Sequence, residues 1–129
     1  MGATPIFVAA YNCEFTDLEN ADSTNEITVF TPGANGSRVE SIVVTSDDSS
    51  ARNIQFGVAV SGTTYFLFRS ALPIGSTTRY SGDALADCSA AGRMDGGLIL
   101  ESGQVLKAWM EVAVTAGKKV TIGVFGGNL

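Results

Sequence analysis

The stretch Asn53–Arg69, NIQFGVAVSGTTYFLFR, limits what this chain can fold into more than any other. Side chains alternate faces along an extended chain, so Ile54, Phe56, Val58 and Val60 fall on one side and Gln55, Gly57 and Ala59 on the other. Ser61–Gly62 then breaks the run with a pair suited to a tight hairpin turn, because glycine takes up positive φ without a Cβ clash. Thr63–Arg69 returns as the partner strand. A period of two bounded by turn residues argues against a helix, whose period is 3.6.

The same signature recurs along the chain. Glu26–Thr31 precedes the turn Pro32–Gly36, and Val39–Thr45 precedes Ser46–Ser50. Leu98–Leu100 and Val105–Val114 read as a hairpin about Glu101–Ser102–Gly103. Thr115–Gly117 turns into a last strand in which Val120, Ile122 and Val124 alternate with Thr121, Gly123 and Phe125. Strands spaced by roughly 10 to 14 residues are the rhythm of antiparallel sandwiches and barrels. A chain of 129 residues fits one domain. The expected fold is all-β, an antiparallel β-sandwich, jelly-roll-like, with about eight strands.

Two segments depart from the alternation. Ser81–Gly96 is rich in Ala and small polar residues; Asp83 could cap one short helix over residues 83–91, ended by Gly92, and a long loop fits as well. Residues 1–25 stand apart from the β-sandwich domain of residues 26–129. Within them Ala3–Ala10 is apolar, and Thr4–Pro5 favours an extended chain. This piece is either the first strand of its own sheet or an arm that adds a strand to a neighbour. In the arm reading Pro5, Ile6, Phe7 and Val8 contact another chain. Thr16–Asn25 reads as an acidic loop.

Composition narrows the function classes. The chain has no histidine, which removes the commonest general base and the Ser-His and Cys-His nucleophile systems. With only two cysteines and no CxxC it offers no zinc-binding pattern. No catalytic, cofactor-binding or metal-ligating residues are assigned, and no cofactor is expected. Glu111, in AWMEVAV, is the one carboxylate set in a strongly apolar run; it is read as facing outward with Lys107 and Trp109. The acidic run Ser46–Ser50 lacks the glycine and distal glutamate of a calcium loop and is read as a solvated turn. Net charge is −5 and the basic residues are scattered, so nucleic acid and anionic membrane surfaces are not expected partners. The N-terminus carries no basic region ahead of its short apolar run, so no secretion signal is expected, and no apolar run is long enough for a membrane-spanning helix.

Hydrophobic residues make up 45% of the chain and charged residues only 16%, an apolar balance for so small a protein. Part of the surface is therefore expected to be covered by other subunits. TTYFLFR carries apolar residues on both faces, with Phe66 and Phe68 on one and Tyr65 and Leu67 on the other. A half-exposed sheet would carry polar residues on one of them. Tyr65, Leu67 and the single tryptophan, Trp109, join Pro5–Val8 as candidate interface residues. Trp109 could alternatively stack on a sugar.

Three stretches carry a resemblance: TPGANGSRVESIVVTS, NIQFGVAVSGTTYFLFRSALP and the closing GGLILESGQVLKAWMEVAVTAGKKVTIGVFGGNL. Together they resemble small β-rich virion proteins of tailed bacteriophages, in pattern rather than in catalytic signature. The resemblance implies a non-enzymatic virion structural protein. It would be a capsid decoration or cement protein that binds and stabilises the assembled head, or else a tail or head-fibre base component. It also implies self-association as a homotrimer, the major capsid protein or other virion proteins as partners, and a location in the virion after synthesis in the host bacterial cytoplasm. A carbohydrate-binding β-sandwich module is the reading from another class.

Cys13 and Cys88 are expected to be buried free thiols, because nothing in the sequence points to an oxidising compartment. Intact mass after alkylation under denaturing, non-reducing conditions should show both cysteines modified; a chain that takes no label without reductant would carry a disulfide.

Overall fold

The computed structural model describes residues 10–81 and 98–129. The possible helix over 83–91, Cys88 and the candidate contacts Pro5, Ile6, Phe7 and Val8 lie outside the described residues.

Among the described residues nine strands run in the order β1 (Ala10–Leu18), β2 (Ile27–Phe30), β3 (Ser37–Ser46), β4 (Arg52–Val60), β5 (Thr63–Leu72), β6 (Thr77–Ser81), β7 (Leu98–Leu100), β8 (Val105–Met110) and β9 (Val120–Asn128). A single turn of 3-10 helix at Asn20–Asp22 follows β1. The strands form two antiparallel sheets. Sheet A has the order β1-β9-β3-β6, with β7 also on β3; sheet B has the order β2-β8-β4-β5. The pairings are nested: β1 with β9, β2 with β8, β3 with β6 and β7, β4 with β5. The early strands thus pair with the late ones around β4 and β5, and the two sheets form an antiparallel β-sandwich. The strand count of nine matches the expected eight once β6 and β7 are seen to share one edge. β6 covers Ser41–Thr45 of β3 and β7 covers Ser37–Val39, so the two lie end to end.

The alternation read from the sequence builds the core. Ile42, Val44, Ile122 and Val124 from sheet A meet Ile54, Phe56, Leu106, Ala108 and Met110 from sheet B, all of them buried. Each large apolar side chain contributes about 1.5–3 kcal/mol. Phe68 of β5 stacks on Phe56 at a centroid distance of 4.8 Å, and Tyr80 of β6 packs against Phe68 from the other sheet.

Three features differ from the sequence reading. Leu98–Leu100 and Val105–Met110 do not form a hairpin: β7 pairs with β3 and β8 with β2 and β4, so Glu101–Gln104 carries the chain from one sheet to the other. The turn residues were read correctly, but local signals do not distinguish a hairpin from a crossover between layers. β8 also stops at Met110 rather than Val114. Finally, Thr16–Leu18 belong to β1, whose nine residues pair without interruption with β9, rather than to a loop.

The loops are fastened by carboxylates. Asp48, read as part of a solvated turn, is buried. One oxygen accepts the Thr115 hydroxyl (2.6 Å) and the Ser50 N–H (3.0 Å); the other accepts the Thr115 N–H (3.0 Å) and Arg52 Nε (3.1 Å). Burial pushes its pKa up, but these bonds from Thr115, Ser50 and Arg52 outweigh burial and hold the carboxyl well below the usual carboxylate range. Its neighbour Asp47 accepts the Lys119 N–H at 2.6 Å and donates its own N–H to the Lys119 carbonyl at 3.1 Å. Two adjacent aspartates thus tie the β3–β4 loop to the segment that leads into β9.

Asp48→Asn keeps the shape but loses the charge, and is expected to cost about 2–4 kcal/mol at neutral pH. A carboxylate with a lowered folded-state pKa stabilises fully above its ordinary value of 3.8 and loses that contribution as pH falls towards the folded value. In urea titrations the gap between wild type and Asp48→Asn should therefore narrow steadily below that ordinary value. A gap that stays constant into strong acid would count against this role for the charge.

Candidate interaction faces

Cross-strand partners share a face of the sheet, so the registers fix what each outer face presents. On sheet A the rows read Tyr11–Gly127–Arg38–Ile99, Cys13–Phe125–Ser41, Phe15–Gly123–Val43–Arg79 and Asp17–Thr121–Thr45–Thr77. Tyr11 is 91% exposed and Phe15 67%. Phe15 and Phe125 meet edge to face at 5.5 Å. Both rings lie over Gly123, where a Cβ would come within 3.1 Å of Phe125 and 3.3 Å of Phe15. Ile99, Val43 and Phe125 are half-buried on this face.

β1 is amphipathic in the inverted sense. Over residues 11–16 the apolar side chains, Tyr11, Cys13 and Phe15, look outward and the polar ones, Asn12, Glu14 and Thr16, lie on the side of Val124 and Ile122; at the end of the strand the normal sense returns, with Asp17 outward and Leu18 buried. The polar set has specific partners. Asn12 Nδ2 donates to the Thr31 carbonyl (3.1 Å) and to Asn128 Oδ1 (3.0 Å), and Glu14 Oε2 accepts the Thr31 N–H (2.9 Å). Ser37 Oγ donates to the same Asn128 oxygen at 2.7 Å and accepts the Gly33 N–H at 2.8 Å. These bonds join β1 and β9 to the turn that links the two sheets, so the register of β1 is fixed by hydrogen bonds along most of its length and by the buried Leu18 at its end. A slip of one residue would break them and turn Tyr11 and Phe15 inward.

On sheet B the expected two-faced strand is interrupted. Phe56 opposes Phe68 and Gly57 opposes Phe66, so Leu67 is a bulge. Phe66 and Phe68 therefore do not share a face: Phe68 and Leu67 pack on the core while Phe66 stands outside, 52% exposed. Of the candidate interface residues, Tyr65 is exposed at this edge, Leu67 is half-buried against the core, and Trp109 is half-buried on the outer face. Trp109 lies 6.4 Å from Phe66 between ring centroids and covers Gly57. Phe66 is the member of this cluster that strict alternation assigned to the wrong side. Tyr11 and Phe15 were missed altogether, although YNCEF carries the period-two signal that would have found them.

The carboxylates singled out as chemical candidates are engaged in structural pairs. Glu111, outward as expected, bridges to Arg69 Nε at 3.2 Å. Asp17 accepts the Thr121 hydroxyl at 2.7 Å and, with Glu19, flanks Lys119. A shallow groove of about 400 Å³ on sheet B is lined by Glu26, Thr28, Thr64, Val105 and Lys107, and Trp109 is not part of it. Among the described residues no three His, Cys, Asp or Glu side chains gather as a metal site, and no helix is long and apolar enough to cross a membrane. Cys13 carries an exposed free thiol rather than the buried one expected, because the outward set of β1 holds it.

Gly57→Ala is expected to destabilise the domain by about 1–3 kcal/mol, since its Cβ would meet the Tyr65 carbonyl at 2.6 Å and Trp109 at 2.9 Å. Fluorescence of the single tryptophan should shift in the folded variant; an unchanged spectrum and melting curve would place Trp109 elsewhere.

No family model matches the sequence, and no curated protein matches it. Among solved structures the chain is similar to one described as the cyanophage Pam1 capsid asymmetric unit. The identity is 14% and the TM-score 0.49, over 98% of this chain and 92% of that one.

Proposed function

We propose that this chain is a non-enzymatic structural protein of a phage virion, a decoration or cement protein that binds neighbouring subunits of the assembled capsid. The observation that carries this reading is the outer face of sheet A. A strand that faces Tyr11 and Phe15 outward, and whose inner side is fixed by hydrogen bonds, is built to be covered by another molecule. The sequence resemblance to small virion proteins supports the same conclusion, as does the use of Asp47, Asp48 and Glu111 in structural pairs. The mechanism is linkage: a protein that binds only the intact lattice lowers the free energy of the assembled state relative to the dissociated one.

A tail or fibre-base position would use the same face on a different partner. The carbohydrate reading is less well supported, because Trp109 is packed between Phe66 and Gly57 rather than presented over an open groove.

Purified protein is expected to co-sediment with phage capsids and to give no signal on a glycan panel. Electron microscopy of labelled virions should place it on the head. Label at the tail would favour the fibre-base position. Glycan binding that is lost in a folded Trp109→Ala variant would overturn the structural reading.

A further inference from the structure

Among the described residues the two sheets have four edges, and three of them are blunted. β2 is only four residues long, and its register shifts between Thr28 and Phe30. β5 carries the bulge at Leu67 and a charged Arg69. The β6/β7 edge is split into pieces of five and three residues and bears Arg79. Short strands, bulges and charges are the devices by which sheet proteins prevent edge-to-edge pairing. β1 has none of the first two. It is nine residues long, pairs with β9 without a shift and contains no Pro, Lys or Arg. Its acidic side chains do not guard the edge: Glu14 is held by the Thr31 N–H and Asp17 by the Thr121 hydroxyl.

We propose that β1 is the dimerisation edge of this protein, pairing antiparallel with β1 of a second copy about a two-fold axis at Cys13. Faces must stay continuous across the joint, so outward residues have to oppose outward residues, and only registers that place a residue of β1 opposite its own copy satisfy this. Centring on Glu14 sets two carboxylates against each other. Centring on Phe15 pairs Cys13 with Asp17, and centring on Asn12 pairs Tyr11 with Cys13. Centring on Cys13 opposes Tyr11 to Phe15 of the partner twice over and sets each Asn12 amide across from a Glu14 carboxylate. It is the register that pairs each aromatic of β1 with an aromatic and sets no two carboxylates of β1 against each other. The joined sheet would carry one apolar strip, in which the Phe15–Phe125 cluster of each copy flanks the axis.

This contact is closed and two-fold. It makes dimers, whereas the trimer implied by the resemblance would need another surface. It does not rest on the virion reading and is tested without capsids.

The protein is studied by sedimentation velocity from about 1 to 100 µM, a range that spans the Kd of ordinary weak dimers. A dimer is expected. Cys13→Lys places like charges at the axis on an exposed position and should weaken dimerisation at least tenfold with an unchanged melting curve. In a Cys88→Ser background, mild copper-catalysed oxidation should give a covalent dimer through Cys13 at dimer-forming concentrations. This arm keeps the wild-type strand and so stands even if the lysine variant fails to fold. A wild-type monomer or trimer across the range, a dimer indifferent to Cys13→Lys, or a dimer that Cys13 does not cross-link would each overturn the proposal. Capsid binding by a protein that stays monomeric would remove the dimer edge and leave the virion reading standing.

Discussion

Sheet A depends on β9. It is bonded along its length on both sides, to β1 through nine consecutive pairs and to β3 through another nine. Its inward residues, Val120, Ile122 and Val124, are completely buried, and three of its positions, Gly123, Gly126 and Gly127, carry no side chain. Gly126 faces the bulge at Glu40, where a Cβ would lie 2.2 Å from the Arg38 carbonyl oxygen. The backbones approach that closely only because no side chain intervenes. The bulge resets the phase of β3, from Ser37 and Val39 inward to Ile42, Val44 and Ser46 inward, so that both halves of the strand face the core. The absence of side chains on one strand thus allows its neighbour to change phase.

The polar groups divide into two tasks. At one end, Asn12, Glu14, Ser37 and Asn128 converge on Thr31 and Gly33 and join the strands of sheet A to the turn arriving from sheet B. At the other end, Asp47 and Asp48 hold the chain around Thr115 and Lys119. Among the described residues no buried side-chain polar atom lacks a partner. Such satisfaction fixes a single arrangement, since any alternative register would strand one of these groups away from water.

Much of this was legible in the sequence. The alternating runs gave β3, β4, β5 and β9, and Ser61–Gly62 gave the one tight hairpin, whose φ values of 52° and 85° are those of a primed turn. What was not legible has a common cause. The bulges at Glu40 and Leu67 change which side a residue faces, and a bulge is set by the partner strand rather than by the strand itself. Whether Glu101–Gln104 closes a hairpin or crosses between layers depends on where β3 lies. Asp48 is surrounded in sequence by Ser46, Asp47, Ser49 and Ser50 and looks solvated; Thr115, which buries and binds it, is 67 residues away. The face of β1 was missed for the opposite reason. Its alternation was not recognised, and the rule that apolar residues point inward would have read it backwards.

The nested pairing also affects the order of events during synthesis. β1 pairs with β9, and β3 has β9 on its other side, so sheet A lacks its central strand until nearly all of this sequence has left the ribosome. Pairings of such long sequence separation form slowly, because loop closure precedes any stabilising contact. Until then β1, with Tyr11, Cys13 and Phe15 along one side, is unpaired in a crowded cell. A protein of this topology is therefore most vulnerable to aggregation as a nascent chain, and its yield should depend on chaperones and growth temperature more than the stability of the finished sandwich would suggest.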